Sequence, residues 1–257
     1  MSHSRTDSGE FLDSEQYSEP SIRAYEAVYG RDFVSPGGET MARELISRLR
    51  LKSGARVLDA GCGLGGSAFL MAREFGARVD AVDLSHNMIT MAQSRRDELG
   101  LNDLVRLEHG DCLDLQRHDY YDAVYSRDVF LHIHDKAELF EVLLGALRPG
   151  GRLLFTDYCC GDKPWSEEFS HYLKMRAYSL LTLPQYVALL ETAGFTDVCG
   201  RDLTSRFRAI LDMELSRIRG TNMDDRMRAK LEAGWEAKLR RAEAGDQRWG
   251  LLEGRRP

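Results

Sequence analysis

Between positions 125 and 135 the chain reads YSRDVFLHIHD, so Arg127, Asp128, His132 and His134 follow directly on the apolar run YDAVYS. Where such a run is a buried strand, this charged cluster stands at the point where the strand meets solvent. An imidazole titrates near neutrality and can take a proton from a reacting group, while a neighbouring carboxylate can hold a cation. A second cluster lies upstream. LDAGCGLGG sets Gly61, Gly63 and Gly66 in the pattern G-x-G-x-x-G behind Asp59, Asp83 follows Gly61 by 22 residues, and Asp111 closes the segment LVRLEHGD.

A glycine pattern with an acidic residue about 20 positions further on is shared with dinucleotide sites, where the carboxylate grips a ribose hydroxyl. An NAD-dependent oxidoreductase is therefore one reading. Asp59 argues for another, because a pyrophosphate would approach the helix start just beyond it and a carboxylate there repels phosphate. A ligand that brings a cation to the loop suits it, such as the ammonium on the methionyl part of S-adenosylmethionine. Asp83 is then placed for a ribose and Asp111 for an adenine amine. A non-catalytic binder of that ligand, or a methyltransferase acting on a macromolecule, stays open at this point.

These side chains need elements to carry them. ARVLDAGCG (55–63), ARVDAVDLS (77–85), LVRLEHGD (104–111), YYDAVYSRD (120–128) and GRLLFTDYC (151–159) are short apolar runs rich in strand formers. Helical spacing fills the intervals in AFLMAREFG, HNMITMAQSRRDELG and KAELFEVLLGALRPGG (136–151). Such alternation predicts a doubly wound α/β fold, a mostly parallel sheet covered on both faces, with the acidic residues along its carboxyl edge. Residues 14–50 read as helical, with a proline-bearing start in SEPSIRAYEAVYG, and form an N-terminal helical lid after a disordered tail over 1–13. Residues 51–257 make the core. Within it, WSEEFSHYLKMRAYSLL (165–181) and LPQYVALLETAG read as helices, FTDVCGRDL as a sixth strand, about 204–219 and 222–244 as two charged helices, and QRWGLLEG as a closing strand. Insertions at about 160–181 and 204–244 are expected to cover the pocket.

Composition narrows the classes. The 257 residues are 43% hydrophobic and 30% charged, an ordinary globular balance. No apolar run approaches the roughly 20 residues that span a bilayer, and the opening MSHSRTDSGE has no apolar signal core, so a cytoplasmic protein without stable membrane association is expected. The five cysteines include no CxxC pair, which argues against a zinc site and a disulfide framework; no metal is expected. A net charge of −6 offers no general attraction for nucleic acid, so an anionic ligand must be held by a local positive pocket. No obligate protein partner is evident.

The Asp59, Asp83 and Asp111 set with its glycine loop resembles the class I S-adenosylmethionine-dependent methyltransferases, which have a Rossmann-like seven-stranded sheet. A narrower likeness lies in SEQYSEPSIRAYEAVYGRDFVSPGG, YSRDVFLHIH, TDYC, KMRAYSLLT, GWEAK and QRWG, taken in order along the chain. They resemble the phosphoethanolamine N-methyltransferases, in the compact single-domain form. That resemblance implies that Gln16, Ser35, Gly61, Asp83, Leu84, Asp111, Cys112 and Arg127 surround the cofactor, joined by Asp59 and Gly63 from the loop. It implies that Tyr25, Tyr158, Arg176, Tyr178 and Lys238 bind the substrate phosphate, that Asp128 lies near the amine, and that Tyr17 and His132 form a catalytic pair that also latches the lid. Pro36, Cys112 and Phe130 depart from the pattern without removing a polar group from these roles.

The expected reaction takes a methyl group from S-adenosylmethionine to phosphoethanolamine or its mono- and dimethylated forms, leading to phosphocholine, a phosphatidylcholine precursor, and leaves S-adenosylhomocysteine. A related amine such as an aminophosphonate is the alternative substrate. Phosphoethanolamine arrives protonated, so the site needs a base, a carboxylate to hold the ammonium and cations for the phosphate. His132, Asp128 and the pair Arg176 and Lys238 fill those needs; Trp235 and Trp249 read as packing. How many methyl groups are added depends on room around the nitrogen, which residue types do not encode.

Overall fold

The computed structural model describes residues 12–257, without the side chains of Glu15 and Gln16. The five runs form β1 (Arg56–Ala60), β2 (Arg78–Asp83), β3 (Val105–His109), β4 (Tyr121–Arg127) and β5 (Leu147–Cys160), and β6 (Thr196–Asp202) and β7 (Gln247–Arg255) complete one seven-stranded sheet in the order β3-β2-β1-β4-β5-β7-β6. β1 to β5 pair in parallel, and β7 runs antiparallel between β5 and β6. The order reverses between β1 and β4, and a crevice opens at their carboxyl ends where such a reversal occurs.

Period two along the strands explains the layering. Val57, Val79, Ala123 and Leu154 face one apolar layer, while Leu58, Val82, Val124 and Leu153, in the opposite phase of the same strands, face the other. The first layer is covered by α2 (Gly38–Leu49), α3 (Gly66–Phe75), α4 (His86–Glu98), α8 (Thr204–Gly220) and α9 (Asp225–Ala244), and the second by α5 (Lys136–Ala146) and α7 (Leu183–Thr192). Helices α1 (Glu19–Tyr29) and α6 (Glu167–Arg176) flank the crevice. Local chemistry sets these starts. Pro20 sits in the first turn of α1, Ser85 and Asp135 accept from the first-turn amides of Met88 and Glu138 in α4 and α5, and Thr182 with Gln185 forms a capping box on α7. Among the described residues no helix is long and apolar enough to cross a membrane.

Four boundaries differ from expectation. Residues 14–50 are not one helical unit: a π-helical turn (Leu12–Gln16), α1 and α2 are separated by loops, and α2 buries Met41, Leu45 and Ile46 in the sheet-covering layer. Of the expected disordered tail, residues 1–11 lie outside the described residues, whereas Asp13 is fixed, accepting from the Ser85 hydroxyl at 2.5 Å and from the His86 and Asn87 amides. α5 stops at Ala146 because Pro149 and the left-handed Gly150 (φ +77°) cannot continue it, and β5 begins at Leu147. α6 stops at Arg176 because Ala177 turns left-handed (φ +53°), and residues after it run extended, the Ser179 amide donating to the Leu131 carbonyl at 2.8 Å.

Candidate active site

The carboxyl ends of β1, β2 and β4 open onto a cavity of about 420 Å³. Gly61 (φ +76°) turns the chain at the end of β1, and its amide and that of Cys62 donate to the Val82 carbonyl at 2.8 and 3.0 Å. A Cβ at Gly61 would lie 2.4 Å from both Val129 methyl groups, so only glycine lets the loop pass there. Asp83 holds the loop from the next strand, accepting from the Gly63 and Ser85 amides at 2.8 and 2.9 Å. Asp59 is 2% exposed, and its Oδ2 has no hydrogen-bond partner among the described residues. Burial, with Asp83 adding to it and Arg127 opposing, pushes its carboxyl up to about 7. Asp111 caps a short 3₁₀ turn through the Leu113 amide, and Cys112 is buried, its thiol pushed up to about 12 by burial. Ser35, Leu84 and Arg127 line the same end. Arg127 reaches it from below: its guanidinium donates to the carbonyls of Gly38 and Pro36 at 3.1 and 2.5 Å, tying the loop before α2 to the end of β4.

The other end is aromatic and cationic. Tyr17, Tyr25, Tyr158, Tyr178, Arg176 and Lys238 line it. Burial lowers Lys238 to about 8, with Glu214 opposing, and its ammonium lies 4.1 Å from the Trp235 ring centroid. Arg176 has no ion-pair partner among the described residues; burial presses its charge down, but the hydroxyls of Tyr178, Tyr172, Tyr25 and Tyr17 more than offset that. Burial raises all four of the lining tyrosines above the usual phenol value.

Asp128 and His132 stand between the two ends. Asp128 is left-handed (φ +57°), its amide donating to the Thr156 carbonyl at 2.8 Å and its Oδ1 accepting from the Trp249 indole at 2.7 Å. Its Oδ2 is buried without a hydrogen-bond partner among the described residues, and burial raises the carboxyl despite Arg127 and the indole. The His132 ring meets the Tyr178 ring edge-on at 5.0 Å between centroids. Burial first, then the charges of Arg176 and Lys136, lower the imidazole to about 4, so it is neutral at pH 7. Tyr17 and His132 both face the cavity, but no hydrogen bond between them is formed in this structure. The side chain of Gln16 lies outside the described residues, and every other residue expected at the site lines this one cavity.

A family model described as a methyltransferase domain matches residues 51–199. The chain is 41% identical over 250 residues to phosphoethanolamine N-methyltransferase 1 of Zea mays, covering 94% of this chain and 49% of that protein. The phosphoethanolamine N-methyltransferase of Plasmodium falciparum is 30% identical over 253 residues, covering 95% of this chain and 94% of that one. The chain belongs to the phosphoethanolamine N-methyltransferase family. A solved structure of phosphoethanolamine N-methyltransferase 2 of Haemonchus contortus, in complex with phosphomonomethylethanolamine and S-adenosylhomocysteine, superposes with a TM-score of 0.94 at 34% identity, over 97% of this chain and 60% of that one. The chain thus spans about half the length of the maize relative.

Within this phosphoethanolamine N-methyltransferase fold, the tryptophans are more than packing. Trp249 fixes Asp128, and the Trp235 indole donates to Glu214 Oε2 at 2.8 Å while the Gly37 amide donates to Oε1 at 2.8 Å. Glu214 so joins α8, α9 and the loop that Arg127 also grips. Tyr172 and Arg241 are further cavity residues that the sequence did not single out, the guanidinium stacking 3.8 Å from the ring centroid. A charged helix such as α9 reads as solvated in sequence; a polar tip repeated on its inward stripe at Trp235, Lys238 and Arg241, spaced by three, was the available signal.

Proposed function

We propose that the chain is an S-adenosylmethionine-dependent N-methyltransferase that carries phosphoethanolamine, or its mono- and dimethylated forms, toward phosphocholine. The observation that carries this reading is a single cavity with a carboxylate-lined glycine loop at one end, the cations Arg176 and Lys238 among tyrosines at the other, and Asp128 with His132 between them. The cofactor fits the first end on two counts. Asp59 keeps a buried acceptor with no partner among the described residues, as a ligand ammonium requires, and Asp83 and Asp111 line the same end with carboxylates that suit hydroxyl and amine donors. Asp59 would hold the ammonium, Asp83 the ribose and Asp111 the adenine, with Gln16, Ser35, Gly61, Gly63, Leu84, Cys112 and Arg127 around them. When bound there, S-adenosylmethionine supplies a methyl group on a positively charged sulfur, which an amine nitrogen can displace.

Arg176 and Lys238, with the hydroxyls of Tyr25, Tyr158 and Tyr178, offer the phosphate charge-assisted bonds at the other end. Asp128, steadied by Trp249, receives the ammonium. His132, held neutral, accepts its proton and so frees the lone pair. The phosphate also matters for the base: an anion on Arg176 cancels part of the charge that holds the imidazole down, so His132 becomes more basic when substrate is in place. Tyr17 and α1 close over the pair and exclude water, drawing the Tyr17 hydroxyl to His132. Both ligands dissolve in water, in keeping with a cytoplasmic enzyme.

Mass spectrometry of reactions containing S-adenosylmethionine and each of phosphoethanolamine, its monomethyl form and its dimethyl form tests this. A gain of one methyl per turnover on at least one of them is expected. No gain on any of the three, with 2-aminoethylphosphonate methylated in parallel, would move the substrate to the aminophosphonates; no gain on any of the four would overturn the reading.

A further inference from the structure

We propose that Lys136 is a positioning residue whose buried ammonium staples the turn carrying His132 to the segment carrying Tyr178, so that the base and the phosphate-binding wall form one unit. The inference deepens the N-methyltransferase reading and rests on it for the roles of His132 and Arg176.

Lys136 is the first residue of α5 and is 4% exposed. Nothing local favours it there, since an ammonium loses its hydration on burial and stands at the positive end of the helix dipole. Its Nζ donates to the Ile133 carbonyl at 2.6 Å and to the Ser179 carbonyl at 2.5 Å. From the opposite side the Ser179 amide donates to the Leu131 carbonyl at 2.8 Å. His132 lies between the two anchored positions Leu131 and Ile133, and Tyr178 adjoins the anchored Ser179. The 5.0 Å edge-on contact of the two rings is therefore built on three hydrogen bonds. Arg176 begins the same segment, so an anion bound to it reports directly on the position of His132.

The staple is cationic. Asp157 on β5 faces it, with Oδ2 accepting from the Tyr186 hydroxyl at 2.5 Å, but no ion pair joins Asp157 to Lys136 among the described residues. Both Nζ bonds made by Lys136 are to neutral carbonyls, and its charge acts on Asp157 on one side and on His132 on the other. The groups that face His132 are Lys136 from α5, Arg176 from α6 and Tyr178 from the segment after it, with Asp128 at the end of β4 and Tyr17 on the same cavity wall. Both cations favour the neutral imidazole.

The test uses Lys136→Met, and Lys136→Gln in case the first does not fold, because glutamine keeps a donor for the carbonyls while removing the charge. Two quantities are read: steady-state turnover of phosphoethanolamine with S-adenosylmethionine, and the ring titration of His132 by histidine-selective nitrogen NMR, assigned from its absence in His132→Gln. The turnover number is expected to fall about tenfold or more, with the S-adenosylmethionine KM changed less than about twofold. The His132 titration is expected to move to higher pH in both variants. A turnover number within about twofold of the parent, or a His132 titration that does not move, would overturn the proposal. If the parent itself methylates no phosphoamine, the function fails instead, and the NMR arm still decides whether Lys136 governs His132.

Discussion

Asp59 carries a cost of burial that the proposed recognition of a cation would explain. Its carboxyl is pushed from an ordinary 3.8 to about 7 by burial beside Asp83, a difference worth on the order of 4 kcal/mol between its two protonation states. The fold favours the neutral form, so its contribution to stability is full below about pH 4 and is lost as pH rises through about 7, whereas a ligand ammonium binds the ionised form. The thermal shift produced by S-adenosylhomocysteine is therefore expected to grow between about pH 6 and about pH 8, and Asp59→Asn to flatten that growth; an equal slope in the variant would remove Asp59 from the ligand. Asp128 was legible from its place after YDAVYS, but its partner was not. The Trp249 indole lies 121 residues further on, and a tryptophan in an apolar run carries no sign of where its N–H points. Trp249→Phe keeps the ring and loses the donor, so the phosphoamine KM is expected to rise about tenfold with the S-adenosylmethionine KM unchanged, a split that initial-rate kinetics measures.

At the level of elements, the strands could be read because a parallel sheet buries both faces and leaves continuous apolar runs, and the ends of β1 and β2 could be read because Asp59 and Asp83 interrupt them. The glycine loop was legible as a pattern, though the reason for each glycine was not: Val129, which bars a side chain at Gly61, comes from the far side of the crevice. Gly61→Ala combines that clash with a left-handed backbone, so a loss of about 2 kcal/mol in denaturant unfolding is expected, together with loss of S-adenosylhomocysteine binding. Helix ends proved harder. α6 reads as helical through Leu181, yet Ala177 turns left-handed because the following segment is drawn to Leu131 and Lys136, contacts more than 40 residues away in sequence. That early stop places Arg176 at a helix end, facing the cavity. Arg176→Ala and Lys238→Ala are expected to raise the phosphoamine KM with smaller effects on the S-adenosylmethionine KM, and an unchanged phosphoamine KM in both would place the phosphate elsewhere.

For the whole molecule, alternating strand and helix patterns made the doubly wound sheet legible, including β7 as a closing strand. What could not be read was how distant pieces converge on one cavity. Tyr17 and Tyr25 precede the sheet, Arg176 follows β5, and Trp235 and Lys238 come from α9, so the pocket exists only after the chain has closed on itself. Glu214 and Arg127 hold that closure from two sides by gripping Gly37 and its neighbours Pro36 and Gly38. On the proposed function, this one cavity seats a sulfonium donor at its acidic end and a small anionic amine at its cationic end. A crystal structure with S-adenosylhomocysteine and phosphocholine measures it directly. The amino-acid ammonium is expected against Asp59, the ribose on Asp83 and the phosphate between Arg176 and Lys238; a phosphate group lodged at Gly61 beside Asp59, with the cationic end empty, would overturn the proposed function.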